Sequence, residues 1–173
     1  MSTRKDRFSN KDRDYMKLAI NLASNQKGLT GNNPAVGCVI VKNNKIVSYA
    51  TTGNNGRPHA ETVALKKNKS QNKDSTVYIT LEPCSHYGKT PPCTKALINS
   101  KVKKVIYSIE DKDRRTFSKA KKILKEKKIS AKSGLLKKEV NFLYKNYNYS
   151  KKYGLPYITG KIASSKNYNI LKN

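Results

Sequence analysis

The chain reads as a three-layer α/β domain, a mixed sheet of about five strands opened by an antiparallel hairpin and covered by helices on both faces. Apolar, β-branched runs alternate with helical periodicity from Val36 to Ser133, the pattern of a largely parallel sheet whose strands are joined by crossovers. The first two runs are separated only by Asn43 and Asn44, residues that tolerate the positive φ of a two-residue hairpin turn. The length, 173 residues, suits one domain with a core that needs no disulfide staples.

Taken in order, Met16, Ala19, Ile20, Leu22 and Ala23 recur at helical spacing, with Ser9 or Asn10 as cap and Gly28 as stop. "VGCVIVK" and "KIVSYATT" form the hairpin, and Cys38 within it is a core residue, since free cysteine packs as a small hydrophobe. "HAETVALKK" is helical after a Gly- and Pro-containing loop, "STVYITL" is a strand, and "CTKALINS" is a short helix. A strand at "KKVIYSI" precedes a helix presenting Phe117, Ala120, Ile123 and Leu124 on one face, and "KISAKS" is a short strand. Beyond Gly134, Leu136, Val140, Leu143, Tyr144 and Tyr147 mark one further amphipathic helix, its tyrosines serving packing and surface. "GLPYITGKIASS" then reads as a lone strand. There is no internal repeat and no low-complexity linker. The expected organisation is a domain over 1–134, a linking helix over 135–153 and a tail over 154–173.

Composition narrows the function. The net charge is +26, but it comes from 31 Lys against 6 Arg spread along the whole chain. A solvated surface explains that pattern better than a nucleic-acid reader, which favours the planar arginine fork and clusters its charge. Nucleic acid is therefore not the expected partner, although anionic substrates gain a weak attraction. The stretch from Met1 to Asp14 is almost wholly polar and no long apolar run follows, so no membrane is expected and the cytoplasm is the expected compartment. Three cysteines are an odd number for a disulfide framework and point to reduced thiols, used in burial or metal ligation.

The chemistry concentrates in "PHAE" and "LEPCSHYGKTPPC". His59 and Glu61 stand at a helix start, Cys84 just past a strand's carboxyl end, and Cys93 at the next helix's start. Loops at strand ends of an α/β sheet converge on a crevice, so these side chains can meet there. One imidazole and two thiolates suit zinc with a fourth tetrahedral position open, which is the arrangement of a catalytic site.

Zinc deaminases carry HxE followed by PCxxC, with a glutamate that shuttles protons and does not ligate. This chain has "HAE" and "PC" but eight residues between Cys84 and Cys93. With "NPAVGCVIVK", "HAETVAL" and "YITLEPCSHYGKTPPC" in that order, it resembles the deaminase domain of the bifunctional riboflavin-biosynthesis deaminase/reductase, from about Tyr15 to Gly134. The resemblance implies a cytidine-deaminase-like fold and one zinc per chain, held by His59, Cys84 and Cys93, with Glu61 as catalytic acid and base. It implies hydrolytic deamination of 2,5-diamino-6-ribosylamino-4(3H)-pyrimidinone 5′-phosphate with release of ammonia. By the same resemblance Asn33 binds the ring, His86 and Lys89 lie on the substrate side, and Asp111 lies at the ribose. The usual "DPNP" is here "DKDR". Asp113 thus occupies an Asn position near a phosphorylated sugar, which is unfavourable unless Arg114, Arg115 or Lys119 offsets it.

The tail resembles the first strand of the family's reductase domain, so reductase activity is not expected from this chain. The resemblance allows a homo-oligomer and a separate reductase as partners. Two other readings stay open at this point: a nucleobase or tRNA-adenosine deaminase on the same scaffold, and a noncatalytic zinc-containing nucleic-acid-binding module.

Overall fold

The structure is a computed structural model and describes residues 7–166. Strands β1 (Gly37–Lys42), β2 (Lys45–Thr51), β3 (Thr76–Leu81), β4 (Lys104–Ile109) and β5 (Ser130–Ser133) form a sheet of order β2-β1-β3-β4-β5. Asn43 and Asn44 turn the β1–β2 hairpin with φ of 50° and 60°, the left-handed pair that matches strand twist. β1 runs antiparallel to both its neighbours, while β3–β4 and β4–β5 are parallel. The sheet is therefore mixed, and the largely parallel character expected from the alternating pattern is confined to the β3-β4-β5 half.

Helices α1 (Asn10–Asn25), α2 (Ala60–Lys67), α3 (Cys93–Asn99), α4 (Ala120–Glu126), α5 (Lys137–Leu143) and α6 (Lys145–Tyr153) complete the described chain. The two-residue period of the strands sorts the core into two layers. Cys38, Ile40, Val77, Ile79, Val105 and Tyr107 face α2, α3 and α4. Val39, Val41, Tyr78 and Ile106 face Met16 and Ala19 of α1. Ser9 is the cap of α1: its hydroxyl accepts the Asp12 N–H at 3.1 Å and Asp12 accepts the Ser9 N–H at 2.9 Å, a reciprocal pair that satisfies two otherwise open donors. Gly37 lets this helix lie directly on β1, because any Cβ there would overlap the Ala19 carbonyl.

Four expectations change. The helix predicted around Phe117 begins only at Ala120, because Ser118 takes a left-handed φ of 57°, and Phe117 stays 48% exposed. The single helix predicted from Leu136 to Tyr147 is two, α5 and α6, which part at Tyr144. There the buried Tyr144 hydroxyl donates to the Ala35 carbonyl at 2.8 Å and lies 2.6 Å from Thr80 Oγ1, so a tertiary anchor sets the break. The segment expected to link, 135–153, packs on the domain through Leu135, Val140 and Tyr144. Over 154–166 the predicted strand is absent and the chain is exposed; it pairs with none of the five strands of the described residues, and an unpaired strand lacks the ladder that would hold it. Residues 1–6 of the polar lead and 167–173 of the tail lie outside the described residues. No helix among the described residues is long and apolar enough to cross a membrane.

Candidate active site

The site lies where β3 and the loop before α2 deliver their ends to one crevice. His59 is the N-cap of α2 with extended backbone (φ −68°, ψ 149°), which turns its ring away from the helix it precedes. Cys84 follows β3, and Cys93 is the first residue of α3. The two cysteines are locked together locally: the Cys93 N–H donates to Cys84 Sγ at 3.2 Å, and Thr94 donates both its N–H and its hydroxyl to the Cys84 carbonyl, at 3.1 and 3.2 Å. His59 Nδ1 lies 3.2 Å from Cys93 Sγ and 3.6 Å from Cys84 Sγ, and the three donor atoms all fall within 4.8 Å of one another. Tetrahedral zinc with bonds of about 2.0–2.3 Å sets its ligand atoms roughly 3.5–3.8 Å apart. One nitrogen and two sulfurs at this spacing fit that ion in both geometry and donor chemistry. The Cys93 thiol and His59 beside it hold Cys84 well below the usual thiol range, the charge state a ligand needs. Cys38 is fully buried in the core layer, away from this group, and burial pushes its thiol up.

Glu61 sits in the first turn of α2 and is 3% exposed. Burial, joined by the neighbouring Cys84 sulfur, pushes its carboxyl up to about 7, with His59 pulling the other way. A carboxyl of that strength exchanges protons near neutrality.

These groups open into a cavity of about 390 Å³. Asn33, His86, Lys89 and Asp111, the four residues expected on the substrate side, all line it together with His59, Glu61 and Cys84. Asn33 is held by a bond from its Nδ2 to the Gly56 carbonyl at 3.3 Å. His86 shares a hydrogen bond with Thr116 Oγ1 at 3.1 Å, which ties the arch between the cysteines to the loop after β4. Asp111 is buried; its Oδ1 accepts the Asp113 N–H at 3.0 Å and the Tyr147 hydroxyl at 2.8 Å. Asp113 is offset by Arg115, through Nε at 2.9 Å and Nη2 at 2.6 Å, and by Lys151 at 3.5 Å, not by Arg114 or Lys119. The Arg115 guanidinium holds the Asp113 carboxyl well below the usual range.

Residues 9–109 match the family described as the cytidine and deoxycytidylate deaminase zinc-binding region. The chain belongs to this family. The matched zinc-binding region contains the whole His59–Cys84–Cys93 group. The chain is 45% identical over 146 residues to the diaminohydroxyphosphoribosylamino-pyrimidine deaminase of Buchnera aphidicola subsp. Schizaphis graminum, covering 84% of this chain and 99% of that protein. It is 41% identical over 151 residues to riboflavin biosynthesis protein RibD of Bacillus amyloliquefaciens, covering 87% of this chain and 41% of RibD; it thus spans about two-fifths of such longer relatives. Among solved structures, Acinetobacter baumannii RibD (form 1) superposes with a TM-score of 0.81 at 38% identity, over 91% of this chain and 44% of that one. The three-layer fold expected from the sequence is the fold of that relative.

Several residues of this deaminase-family site escaped the sequence reading. Arg57 lines the cavity and donates to Thr90 Oγ1 at 2.7 Å. Tyr147 and Lys151 line it from α6, a helix assigned to packing and linkage by its periodicity. Glu82 is 3% exposed, and its carboxylate accepts the N–H groups of Asp111, Ser118 and Ala120. A charged residue at the end of an apolar strand, immediately before "PC", was the one signal of it in the sequence.

Proposed function

We propose that the chain catalyses hydrolytic deamination of 2,5-diamino-6-ribosylamino-4(3H)-pyrimidinone 5′-phosphate in riboflavin biosynthesis, with release of ammonia. The observation that carries this reading is the convergence of His59, Cys84 and Cys93 beside the buried Glu61, in a cavity that Arg57, Lys89, Arg115 and Lys151 also line. The likeness to a Buchnera protein named for this deamination, over nearly its full length, supports the substrate. His59, Cys84 and Cys93 hold one zinc per chain, and zinc when bound supplies the Lewis acidity that makes water a nucleophile at neutral pH. Glu61 takes the proton from the attacking water and delivers it to the departing amine, since nitrogen leaves as ammonia only once protonated. Asn33 binds the pyrimidine ring, His86 and Lys89 contact the substrate beside the metal ligands, and Asp111 binds the ribose. The domain comprises 1–134 together with the helices of 135–153 that pack on it, and the segment from 154 onward resembles the start of a reductase domain. The three free cysteines suit a reducing compartment, the cytoplasm.

The test is ammonia release from the pyrimidine nucleotide beside cytidine, deoxycytidylate and tRNA, with metal analysis of the same preparation. The nucleotide alone is expected to react, with one zinc per chain and activity lost on chelation. Glu61→Gln is expected to keep its zinc and lose about 10²-fold or more in kcat. Release from tRNA alone selects an RNA deaminase, and an unchanged Glu61→Gln variant selects a noncatalytic zinc module.

A further inference from the structure

The proposed function leaves open which residues distinguish a phosphorylated substrate from its dephosphorylated form. We propose that helix α6 supplies this selectivity: Lys151, with Arg115, receives the phosphate across Asp113, and Tyr147 positions Asp111 for the sugar. This rests on the proposed function for the identity of the substrate.

Tyr147 and Lys151 are four residues apart in α6, so they project from one helical face one turn apart. That face closes one side of the cavity that holds Glu61 and His59. Both Tyr147 and Lys151, and Arg115 with them, lie past residue 109, where the family match ends, so the family's description assigns them nothing.

Asp113 is 13% exposed in its side chain and stands at the cavity wall. Alone it would repel an anionic substrate. Arg115 engages it with two of its five N–H donors, and Lys151 Nζ lies 3.5 Å from the same carboxylate. Arg115 and Lys151 balance Asp113 and the neighbouring Asp111, so the corner presents two cations without a net negative charge. Arg115 keeps three donors that Asp113 does not use, Lys151 meets Asp113 only as an ion pair, and both side chains are partly exposed, 64% and 37%. Asp113 thus becomes a bracket holding two cations at a fixed separation, the arrangement that suits a phosphate. Lys89 and Arg57 line the same cavity from the other loops, so its cations come from more than one segment.

Tyr147 acts through Asp111. Its hydroxyl and the Asp113 N–H both bond Oδ1, which restrains the carboxyl and leaves Oδ2 for a ligand hydroxyl. Tyr147 is a positioning residue, whereas Lys151 contacts the substrate itself.

The experiment compares kcat and KM for ammonia release from the phosphorylated nucleotide and from its dephosphorylated riboside, using the zinc-loaded chain. Lys151→Met is expected to raise KM for the phosphorylated substrate about tenfold, more than it alters kcat, and to reduce the preference for phosphate by the same factor. Lys151→Arg is expected to restore most of that preference. Tyr147→Phe is expected to raise KM for both substrates alike. A second readout needs no turnover: ribose 5-phosphate is titrated while the backbone amide signals of Asp113 and Arg115 are followed. These signals are expected to shift in the unsubstituted chain and to stay in place in Lys151→Met. Normal ammonia release with unmoved amides, or a change in phosphate preference below about twofold in Lys151→Met, overturns the role of α6 and leaves the proposed function standing. Shifted amides with no ammonia from any pyrimidine nucleotide overturn the proposed function and leave the phosphate corner.

Discussion

Replacing Glu82 tests how the site is held together. Its Oε2 accepts the N–H groups of Asp111 at 3.2 Å and Ser118 at 3.0 Å, and its Oε1 that of Ala120 at 3.0 Å. Burial raises its carboxyl while the three N–H donors pull it down, so the bonds offset only part of the cost of burying the charge. In Glu82→Gln the favoured amide orientation keeps the oxygen against Asp111 and Ser118 and sets the NH₂ against the Ala120 N–H. One charge-assisted bond is lost and a buried donor is left open, a net cost of about 2–3 kcal/mol after the relief of desolvation. In Glu82→Ala all three donors lose their acceptor. Ser118 sits on the partly exposed side and can be hydrated, but the Asp111 and Ala120 N–H groups are buried, and the cost rises to about 3–5 kcal/mol. Urea unfolding of the zinc-loaded variants, read as midpoint shifts at constant m, measures both. KM is expected to rise more than kcat falls, because the loop that loses its anchor carries Asp111 and Arg115 while Glu61 stays fixed in α2. A Gln variant within about 0.5 kcal/mol of the unsubstituted chain, or one as costly as Ala, refutes the clamp.

Gly56→Ala is expected to cost about 1–2 kcal/mol, since Gly56 has φ of +85° and an added Cβ would overlap the Asn33 side chain. KM is expected to rise with it, and a lower thermal midpoint with unchanged KM removes Asn33 from substrate binding. Tyr78→Phe deletes the 2.7 Å bond to Asp12 Oδ1 and is expected to cost about 1 kcal/mol at neutral pH. Burial works to raise the Asp12 carboxyl, but the bonds from Tyr78 and Ser9 and the nearby Lys104 outweigh it and leave its value lowered. That stabilisation is complete above the unfolded carboxyl value of about 3.9 and disappears as pH falls through the lower folded value. The gap between the two proteins in urea midpoint should therefore close on the acid side only, and a gap that persists below that window rules Asp12 out as the cause.

What the sequence revealed was local. Asn43–Asn44 between two β-branched runs specifies the hairpin by turn geometry alone, and the apolar runs on either side mark its strands. The metal-ligand group was legible because His59, Cys84 and Cys93 each sit at an element boundary marked by proline. The features that stayed hidden depend on partners far apart in the chain. The break between α5 and α6 is set by Tyr144 bonding to Thr80 and Ala35, and no periodicity within the helix announces it. Phe117 fits a helical face by spacing, yet the Glu82 carboxylate takes the Ser118 and Ala120 N–H groups, and α4 starts past it.

The same distinction separates the two ends of the cavity. At the chemical end, short-range bonds suffice: the Cys93 N–H meets Cys84 Sγ within one loop, and Glu61 is fixed by the helix that His59 caps. At the substrate end, local bonds such as Asp113 to Asp111 and Arg115 to Asp113 are joined by long-range ones: Glu82 to the loop after β4, Tyr147 to Asp111, Lys151 to Asp113. The acidic residue at position 113 is held first by Arg115 next to it, and a helix from elsewhere in the chain brings a second cation to it. Position 113 and position 151 are therefore coupled. Asp113→Asn should weaken the dependence on Lys151, because the lysine then has no carboxylate to hold it and the corner one negative charge fewer to offset. If the KM effects of Asp113→Asn and Lys151→Met simply add in the double variant, the two side chains act independently and the bracket does not exist.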